Sequence, residues 1–279
     1  MKNNIVCSVL FAVLCISTFP VSAQDSHLVI LHTNDTHSQI EEIRTGKGAG
    51  TGGIHRRAEY FAQVRNSNKE VLVLDAGDYS QGTPYFTVFK GDLEVELMNS
   101  LGYEVAALGN HEFDNGVAEL ARRLSKAKFV TVCANYDFTG TPLEDIVKPY
   151  TIVYKAGKKI GIFGLVANLG SLVSKQNLEG MVFMDTYDVA DKWADYLKNE
   201  EKCDLVIALT HIGYSGYPNQ VSDIALAEKS ENIDIIIGGH SHTFLKTEKV
   251  YKNRKGEDVI ILHAGAQGEY VGRLDIDFN

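Results

Sequence analysis

The sequence is poor in proline, in cysteine and in clustered positive charge, and each shortage excludes a class of protein. Its five prolines are scattered over 279 residues, so no proline-rich linker divides the chain. The formal net charge is −9 and no lysine- and arginine-rich run occurs, so we expect no nucleic acid polymer as a partner. After the first residues no apolar stretch approaches the roughly 20 residues of a membrane-spanning helix, so we expect no membrane anchor.

The first 23 residues have the pattern of a secretory signal peptide. Lys2 precedes an apolar run, Ile5–Phe19, and the sequence Val21-Ser22-Ala23 predicts cleavage after Ala23. Cys15 lies in the apolar run, but Leu14 before it is large where lipidation requires a small residue, so we do not expect a lipid anchor. The sequence therefore predicts an exported protein, periplasmic or secreted, with a single mature domain of residues 24–279.

Cleavage leaves two of the four cysteines, Cys133 and Cys203. Each lies in or beside an apolar, strand-like run. Export permits a disulfide between them, and two buried free thiols are the alternative. The sequence does not decide between these two states.

Short apolar runs alternate with segments of helical period from residue 28 onward, which is typical of an α/β domain. The hydrophobic content of 44% and charged content of 23% are those of an ordinary globular protein. The predicted strands are Leu28–His32, Val71–Leu74, Val105–Leu108, Phe129–Cys133, Lys159–Leu165, Leu205–Leu209, Ile233–Ile237, Val259–His263 and Gly272–Phe278. The predicted helices are Ile54–Asn66, Asp92–Ser100, Val117–Ala127, Tyr187–Lys198 and Val221–Glu228.

Side chains that bind metals follow five of these strands, where open α/β sheets place their ligand-binding loops. Any one group alone is better explained as a polar turn or helix cap, but five groups at strand ends indicate a common site. An i, i+2 pair in extended chain, such as Asp35 and His37, points to one side of the strand. The groups are Asn34-Asp35-Thr36-His37, Asp75-Ala76-Gly77-Asp78, Gly109 to Asp114, His211, and Gly238-Gly239-His240-Ser241-His242.

Together these groups supply two sets of three to four ligands with one shared carboxylate, as a two-ion centre requires. Mixed imidazole and oxygen donors favour Zn, Mn, Fe or Co over Mg or Ca. The remaining histidines, at positions 27, 32, 55 and 263, do not belong to these groups at the strand ends and are expected to be structural or on the surface. The predicted metal ligands are Asp35, His37, Asp78, Asn110, His211, His240 and His242.

In these motifs, and in Gly52 to Arg57 and Gly77 to Pro84, the sequence resembles the calcineurin-like metallophosphoesterases, specifically the catalytic domain of secreted 5′-nucleotidases. The resemblance implies a four-layer α/β/β/α sandwich of two mixed sheets flanked by helices. It implies one ion on Asp35, His37, Asp78 and His242, and a second on Asp78, Asn110, His211 and His240. It also implies that His111 and Asp114 form a catalytic dyad and that Asn110 and His111 contact the substrate.

The resemblance supports the reaction, cleavage of a phosphoester, more strongly than it supports nucleotides as the substrate. Relatives continue into a second domain that binds the nucleobase, whereas this sequence stops at Asn279. We therefore expect a 5′-nucleotidase-type phosphomonoesterase, with either a simpler phosphate ester as substrate or a separate chain supplying the C-terminal domain. A general phosphatase and a 2′,3′-cyclic-nucleotide phosphodiesterase are alternatives, although Asp114 favours the 5′-nucleotidase branch. A non-catalytic metal-binding subunit is the alternative from another class, and the intact pair His111 and Asp114 disfavours it.

Overall fold

The computed structural model describes residues 26–46, 48–216 and 221–278, so the predicted signal peptide lies outside the described residues. Within these ranges, no helix combines the length and the apolar character needed to cross a bilayer. The strands are β1 (His27–Thr33), β2 (Val71–Asp75), β3 (Val105–Ala107), β4 (Val130–Val132), β5 (Tyr136–Asp137), β6 (Tyr150–Lys155), β7 (Lys158–Val166), β8 (Val182–Phe183), β9 (Leu205–His211), β10 (Ile235–Gly238), β11 (Lys249–Lys252), β12 (Asp258–Leu262) and β13 (Gly272–Asp277).

The α-helices of the described residues lie between these strands. They are α1 (Ile54–Ser67), α2 (Pro84–Phe89), α3 (Asp92–Leu101), α4 (Gly116–Leu124), α5 (Thr186–Asp195) and α6 (Asp223–Lys229). All five helices predicted from the sequence are present. The short α2, which begins at a proline and has no buried residue, was not predicted because six residues are too few to show a helical period.

Two large mixed sheets form the centre of the fold. The first has the order β13-β1-β2-β3-β4 and the second the order β11-β12-β10-β9-β7-β6. The strands from β1 to β4 run parallel, as do β12, β10, β9 and β7. β13, β11 and β6 are antiparallel edge strands. Loops that follow the parallel strands therefore emerge at the carboxyl edges of the sheets.

Alternate residues of β1 face two different hydrophobic cores. Leu28 and Ile30 pack between the two sheets, whereas Val29 and Leu31 pack against the layer formed by α1, α3 and α4. A third core joins the outer face of the second sheet to α5 and α6. Burial on both faces explains why the central strands read as continuous apolar runs. The four-layer sandwich implied by the resemblance is confirmed.

The two cysteines of the mature chain are buried free thiols. Burial raises the pKa of Cys133 to about 12 and also raises that of Cys203. Of the two states that the sequence left open, the structure has the reduced one.

Candidate metal centre

The polar loops predicted from the sequence converge at the carboxyl edges of the two sheets. The ligand atoms of Asp35, His37 and His242 lie within 4.8 Å of one another, and so do those of Asp78, His211 and His240. Asp35, His37 and Asp78 come from loops of the first sheet, whereas the other histidines come from the second. Six of the seven predicted metal ligands therefore meet where the two sheets adjoin. The seventh, Asn110, is buried and precedes His111, whose backbone N–H donates to Asp78 Oδ1 over 2.8 Å.

Five of the seven predicted ligands have a left-handed backbone. Their φ angles are 50° at Asp35, 48° at His37, 55° at Asp78, 77° at His240 and 52° at His242. The prediction that Asp35 and His37 belong to an extended chain is therefore wrong, because β1 ends at Thr33 and the loop then turns. Such conformations cost about 1–2 kcal/mol for a residue with a Cβ, so surrounding contacts must hold them. Five such residues in one place indicate a functional site, where the positions of the side chains are maintained at a cost in folding stability.

Backbone hydrogen bonds fix the first two loops to each other. Asp35 N donates to Gly77 O over 2.9 Å, and His37 N donates to Asp78 O over 3.0 Å. Gly77 has a φ of 88°, and a Cβ there would lie 2.6 Å from Gly109 N. The third loop therefore packs directly on the second, and only glycine fits between them.

The carboxylate of Asp35 joins the first sheet to the loop after β10. Both of its oxygens lie 3.0 Å from His240 N, and Oδ2 also accepts from Asn34 Nδ2 over 2.6 Å. Oδ1 lies 3.5 Å from His242 Nε2 and 3.7 Å from His211 Nε2. The orientation of Asp35 is thus set by donors on one side, while imidazoles surround the other.

His211 is held with one nitrogen directed at the carboxylates. Its Nδ1–H donates to Ala76 O over 2.7 Å, which leaves Nε2 3.0 Å from Asp78 Oδ2. Burial disfavours charge on both groups, yet their mutual attraction lowers the pKa of Asp78 and raises that of His211. The two buried carboxylates therefore create a position that favours positive charge.

The donor set fits divalent cations. Among the described residues, Asn110 Oδ1 is one of the buried polar atoms without a hydrogen-bond partner, and Nε2 of His37 lies 2.9 Å from Nε2 of His242. Burial lowers the pKa of His37 and of His240, so both rings favour the neutral form that binds metals. Unpaired lone pairs and neutral imidazoles beside two carboxylates are what a pair of cations requires.

His111 lies beside this cluster and is oriented by Asp114. Its Nδ1 is 2.8 Å from Asp114 Oδ2, and its ring centroid is 5.4 Å from that of His37. The hydrogen bond to Asp114 raises the pKa of His111. Asn177 Nδ2 donates to Asp114 O over 2.7 Å and steadies the second residue of the pair. The predicted dyad is thus assembled at the edge of the cluster.

Glu112 has a role that the sequence analysis missed. Its fully buried carboxylate accepts three backbone hydrogen bonds, from Asp78 N at 2.8 Å, Gly109 N at 2.7 Å and Ser80 N at 3.1 Å. One side chain thereby fixes the left-handed turn at Asp78 to the loop that carries Asn110 and His111. The only signal in the sequence was an acidic residue inside the Gly109 to Asp114 motif.

The histidines outside the predicted set lie outside the cluster as expected. His263 is fully buried and pairs with Asp223 at 2.6 Å, and Asp223 also accepts from Thr210 Oγ1 at 2.6 Å. His32 is buried, and burial lowers its pKa to about 3. His55 is exposed, and His27 lies near Asp275 and Asp277 at the surface. All four have structural or surface positions.

Comparison with known proteins identifies a family for this arrangement. The family model described as calcineurin-like phosphoesterase matches residues 28–244. Snake venom 5′-nucleotidase of Gloydius brevicauda is 35% identical over 93% of this chain and 46% of that protein. A 5′-nucleotidase precursor from Thermus thermophilus superposes with a TM-score of 0.83 at 34% identity, covering 91% of this chain and 52% of that chain. The NAD nucleotidase of Haemophilus influenzae superposes with a TM-score of 0.79 at 30% identity, covering 91% and 47%. This chain thus spans about half the length of these relatives.

Proposed function

The chain belongs to the calcineurin-like phosphoesterase family, and on that premise we propose that it hydrolyses phosphate monoesters, with 5′-nucleotides as substrates. The observation that carries the proposal is the presence of two groups of aspartate and histidine side chains next to the oriented His111. In each group the ligand atoms lie within 4.8 Å of one another. Relatives named 5′-nucleotidase match most of this chain, which supports nucleotides as the substrate class.

We assign one ion to Asp35, His37, Asp78 and His242, and the other to Asp78, Asn110, His211 and His240. Asp78 would be shared, because its carboxylate belongs to two groups of ligand atoms that lie within 4.8 Å of one another, one with His37 and His111 and one with His211 and His240. Imidazole and oxygen donors together favour Zn, Mn, Fe or Co. Such a pair, when bound, supplies Lewis acidity that activates water for attack on phosphorus and neutralises phosphoryl charge.

The residues of the chain then position the substrate and handle its charge. Asp114 accepts the Nδ1 proton of His111, so Nε2 of that ring remains for a phosphoryl oxygen or the leaving oxygen. The raised pKa of His111 favours a proton on Nε2, where it stabilises negative charge that develops in the transition state. The Asn110 amide lies next to His111 and provides a further neutral group for the phosphoryl oxygens.

A substrate screen on the purified protein tests the assignment. Phosphate release is measured from AMP, a UDP-sugar, 2′,3′-cyclic AMP and bis-p-nitrophenyl phosphate with Zn, Mn or Co added. We expect AMP to give the highest kcat/KM. A higher value for 2′,3′-cyclic AMP would assign a cyclic phosphodiesterase instead, and no release with any metal would favour a non-catalytic metal-binding subunit.

A further proposal concerns the location of the protein. The pattern of residues 1–23 supports export to the periplasm or medium. N-terminal sequencing of the secreted protein would test this by finding Gln24 first.

A further inference from the structure

A fully buried carboxylate joins α6 to strand ends of the second sheet. It belongs to Asp223, the first residue of α6. Its Oδ1 accepts a hydrogen bond from Thr210 Oγ1 over 2.6 Å, and its Oδ2 accepts from His263 Nε2 over 2.6 Å. Thr210 belongs to β9, and His263 directly follows β12. One side chain therefore connects the helix to the carboxyl ends of two strands.

The contacts of Asp223 lie on both sides of His211 in the sequence. Its side chain binds Thr210, which directly precedes His211. Its backbone N–H donates to Gly213 O over 2.8 Å, two residues after His211. The main chain is thus fixed before and after this histidine, whose Nδ1–H donates in turn to Ala76 O.

The same carboxylate lies against the strand that leads to His240. Gly238 ends β10 two residues before His240, and it pairs with Thr210 of β9. A Cβ on Gly238 would overlap both Asp223 Oδ2 and His263 Nε2. Because this position is glycine, the hydrogen-bonded pair can lie directly on the backbone of β10. Asp223 therefore fixes the ends of β9 and β10 relative to each other.

A carboxylate in this position has a high cost in folding stability. It loses strong hydration on burial, whereas an apolar residue would fill the space without that loss. The two side-chain partners of Asp223 lie 13 and 40 positions away in the sequence. Such directional hydrogen bonds restrict the relative positions of the strand ends more narrowly than apolar contacts do. The buried carboxylate thus indicates that these strand ends must keep one arrangement.

We propose that Asp223 is a positioning residue for the second ion, the one assigned to Asp78, Asn110, His211 and His240. It acts through Thr210 and Gly238, which set the positions of His211 and His240. Asp35 and His37, assigned to the first ion, lie in the loop after β1 and are held by Gly77 and Asp78 instead. The inference rests on the proposed function, because it uses the assignment of two ions. Loss of Asp223 should weaken binding of the second ion and leave the first.

Equilibrium dialysis against graded concentrations of free Mn²⁺ measures the effect without turnover. The wild-type protein should bind two ions, and Asp223→Ala should bind one of them about tenfold more weakly, as for other groups that orient ligands. Thr210→Val removes only the hydroxyl and should weaken the same ion to a smaller extent. Thr210→Ser keeps the hydroxyl and should bind both ions like the wild type. The two Thr210 variants provide the test if Asp223→Ala does not fold.

Two background variants identify which ion is affected. His37→Ala removes a ligand assigned only to the first ion, and His240→Ala removes one assigned only to the second. In the His37→Ala protein, the addition of Asp223→Ala should lower the affinity for Mn²⁺ about tenfold. In the His240→Ala protein, the same addition should leave the affinity for Mn²⁺ unchanged.

Asp234→Ala is the matched control at the opposite end of the same two strands. Asp234 directly precedes β10, and its Oδ2 accepts from Val206 N of β9 over 2.7 Å. This change should leave the affinity for both ions unaltered.

Three results would overturn the assignment. They are an equal loss of both ions in Asp223→Ala, the same selective loss in Asp234→Ala, and wild-type affinity in both Asp223→Ala and Thr210→Val. A different result would refute the proposed function alone: a wild-type protein that binds two ions and a selective loss in Asp223→Ala, but no release of phosphate from any ester.

Discussion

Replacing Glu112 by glutamine tests whether this residue holds the candidate metal centre together. The change keeps the shape of the side chain but turns one of its two acceptor oxygens into an NH₂ donor. Oε2 accepts from Asp78 N and Gly109 N, and Oε1 accepts from Ser80 N. The glutamine amide therefore loses the fewest hydrogen bonds when its oxygen takes the place of Oε2 and its NH₂ group faces Ser80 N. At Ser80 two donors then oppose each other.

The expected loss follows from these three bonds. A hydrogen bond to a charged group contributes about 1.5–3 kcal/mol, and the two bonds that remain become neutral and weaker. Relief of the buried charge offsets part of this cost, since burial raises the pKa of Glu112. We expect Glu112→Gln to lower the free energy of unfolding of the metal-free protein by about 2–3 kcal/mol. Metal affinity should fall about 10- to 100-fold, as for other groups that orient ligands.

Urea denaturation in the presence of EDTA measures the first quantity, and calorimetric titration with Zn or Mn measures the second. Glu94→Gln is the matched control, because Glu94 is also buried and, among the described residues, neither of its oxygens has a hydrogen-bond partner. That change should cost no stability. The reasoning is refuted if Glu112→Gln unfolds within about 0.5 kcal/mol of the wild type, or if its metal affinity is unchanged.

Three further changes probe the remaining groups. His111→Ala should lower kcat by about 10²–10⁴-fold with the metal content unchanged, and loss of metal in elemental analysis would contradict this. Asp78→Ala should lose metal as well as activity, so a fully loaded Asp78→Ala protein would disprove the shared-ligand assignment. The buried His32 has its pKa lowered to about 3, so its contribution to stability is complete above the unfolded pKa and is lost as the pH falls. The wild type should therefore lose about 2 kcal/mol between pH 7 and pH 5 from this group, and His32→Leu should flatten that part of the denaturation profile.

The class of fold and the set of candidate ligands were accessible from the sequence for a shared reason. Central strands such as β1 and β9 are buried on both faces, so they appear as apolar runs, and the polar residues just after them stand out. The edge strands β6 and β11 were missed because partly solvated strands lack that signal. Three of the four residues of β11 are exposed, and lysines occupy both of its ends, as is common where an edge must resist pairing with other chains.

The local geometry of the site was less accessible, because contacts remote in sequence determine it. Asp35 and His37 were expected in extended chain, but hydrogen bonds to Gly77 and Asp78 hold them in left-handed turns. The role of Glu112 depends on bringing Ser80 and Asp78 to it from 32 and 34 positions away. Such acceptor relationships have no periodic signature, so only the folded chain reveals them.

The contacts that cross between the two sheets have a consequence for the order of folding. His211 reaches Ala76 across 135 positions of sequence, and His240 reaches Asp35 across 205. Contacts this remote carry a high entropic cost of loop closure, so they form late, after local helices and strand pairs have gained their own stability. A chain in which the parallel strands β1 to β4 and the second sheet had formed but not yet docked would lack the centre altogether, and the pairing of β13 with β1, which joins residues 240–250 positions apart, would also form late. The rate at which the refolding protein binds metal would therefore report the docking of the two sheets. It would not report the formation of either sheet alone.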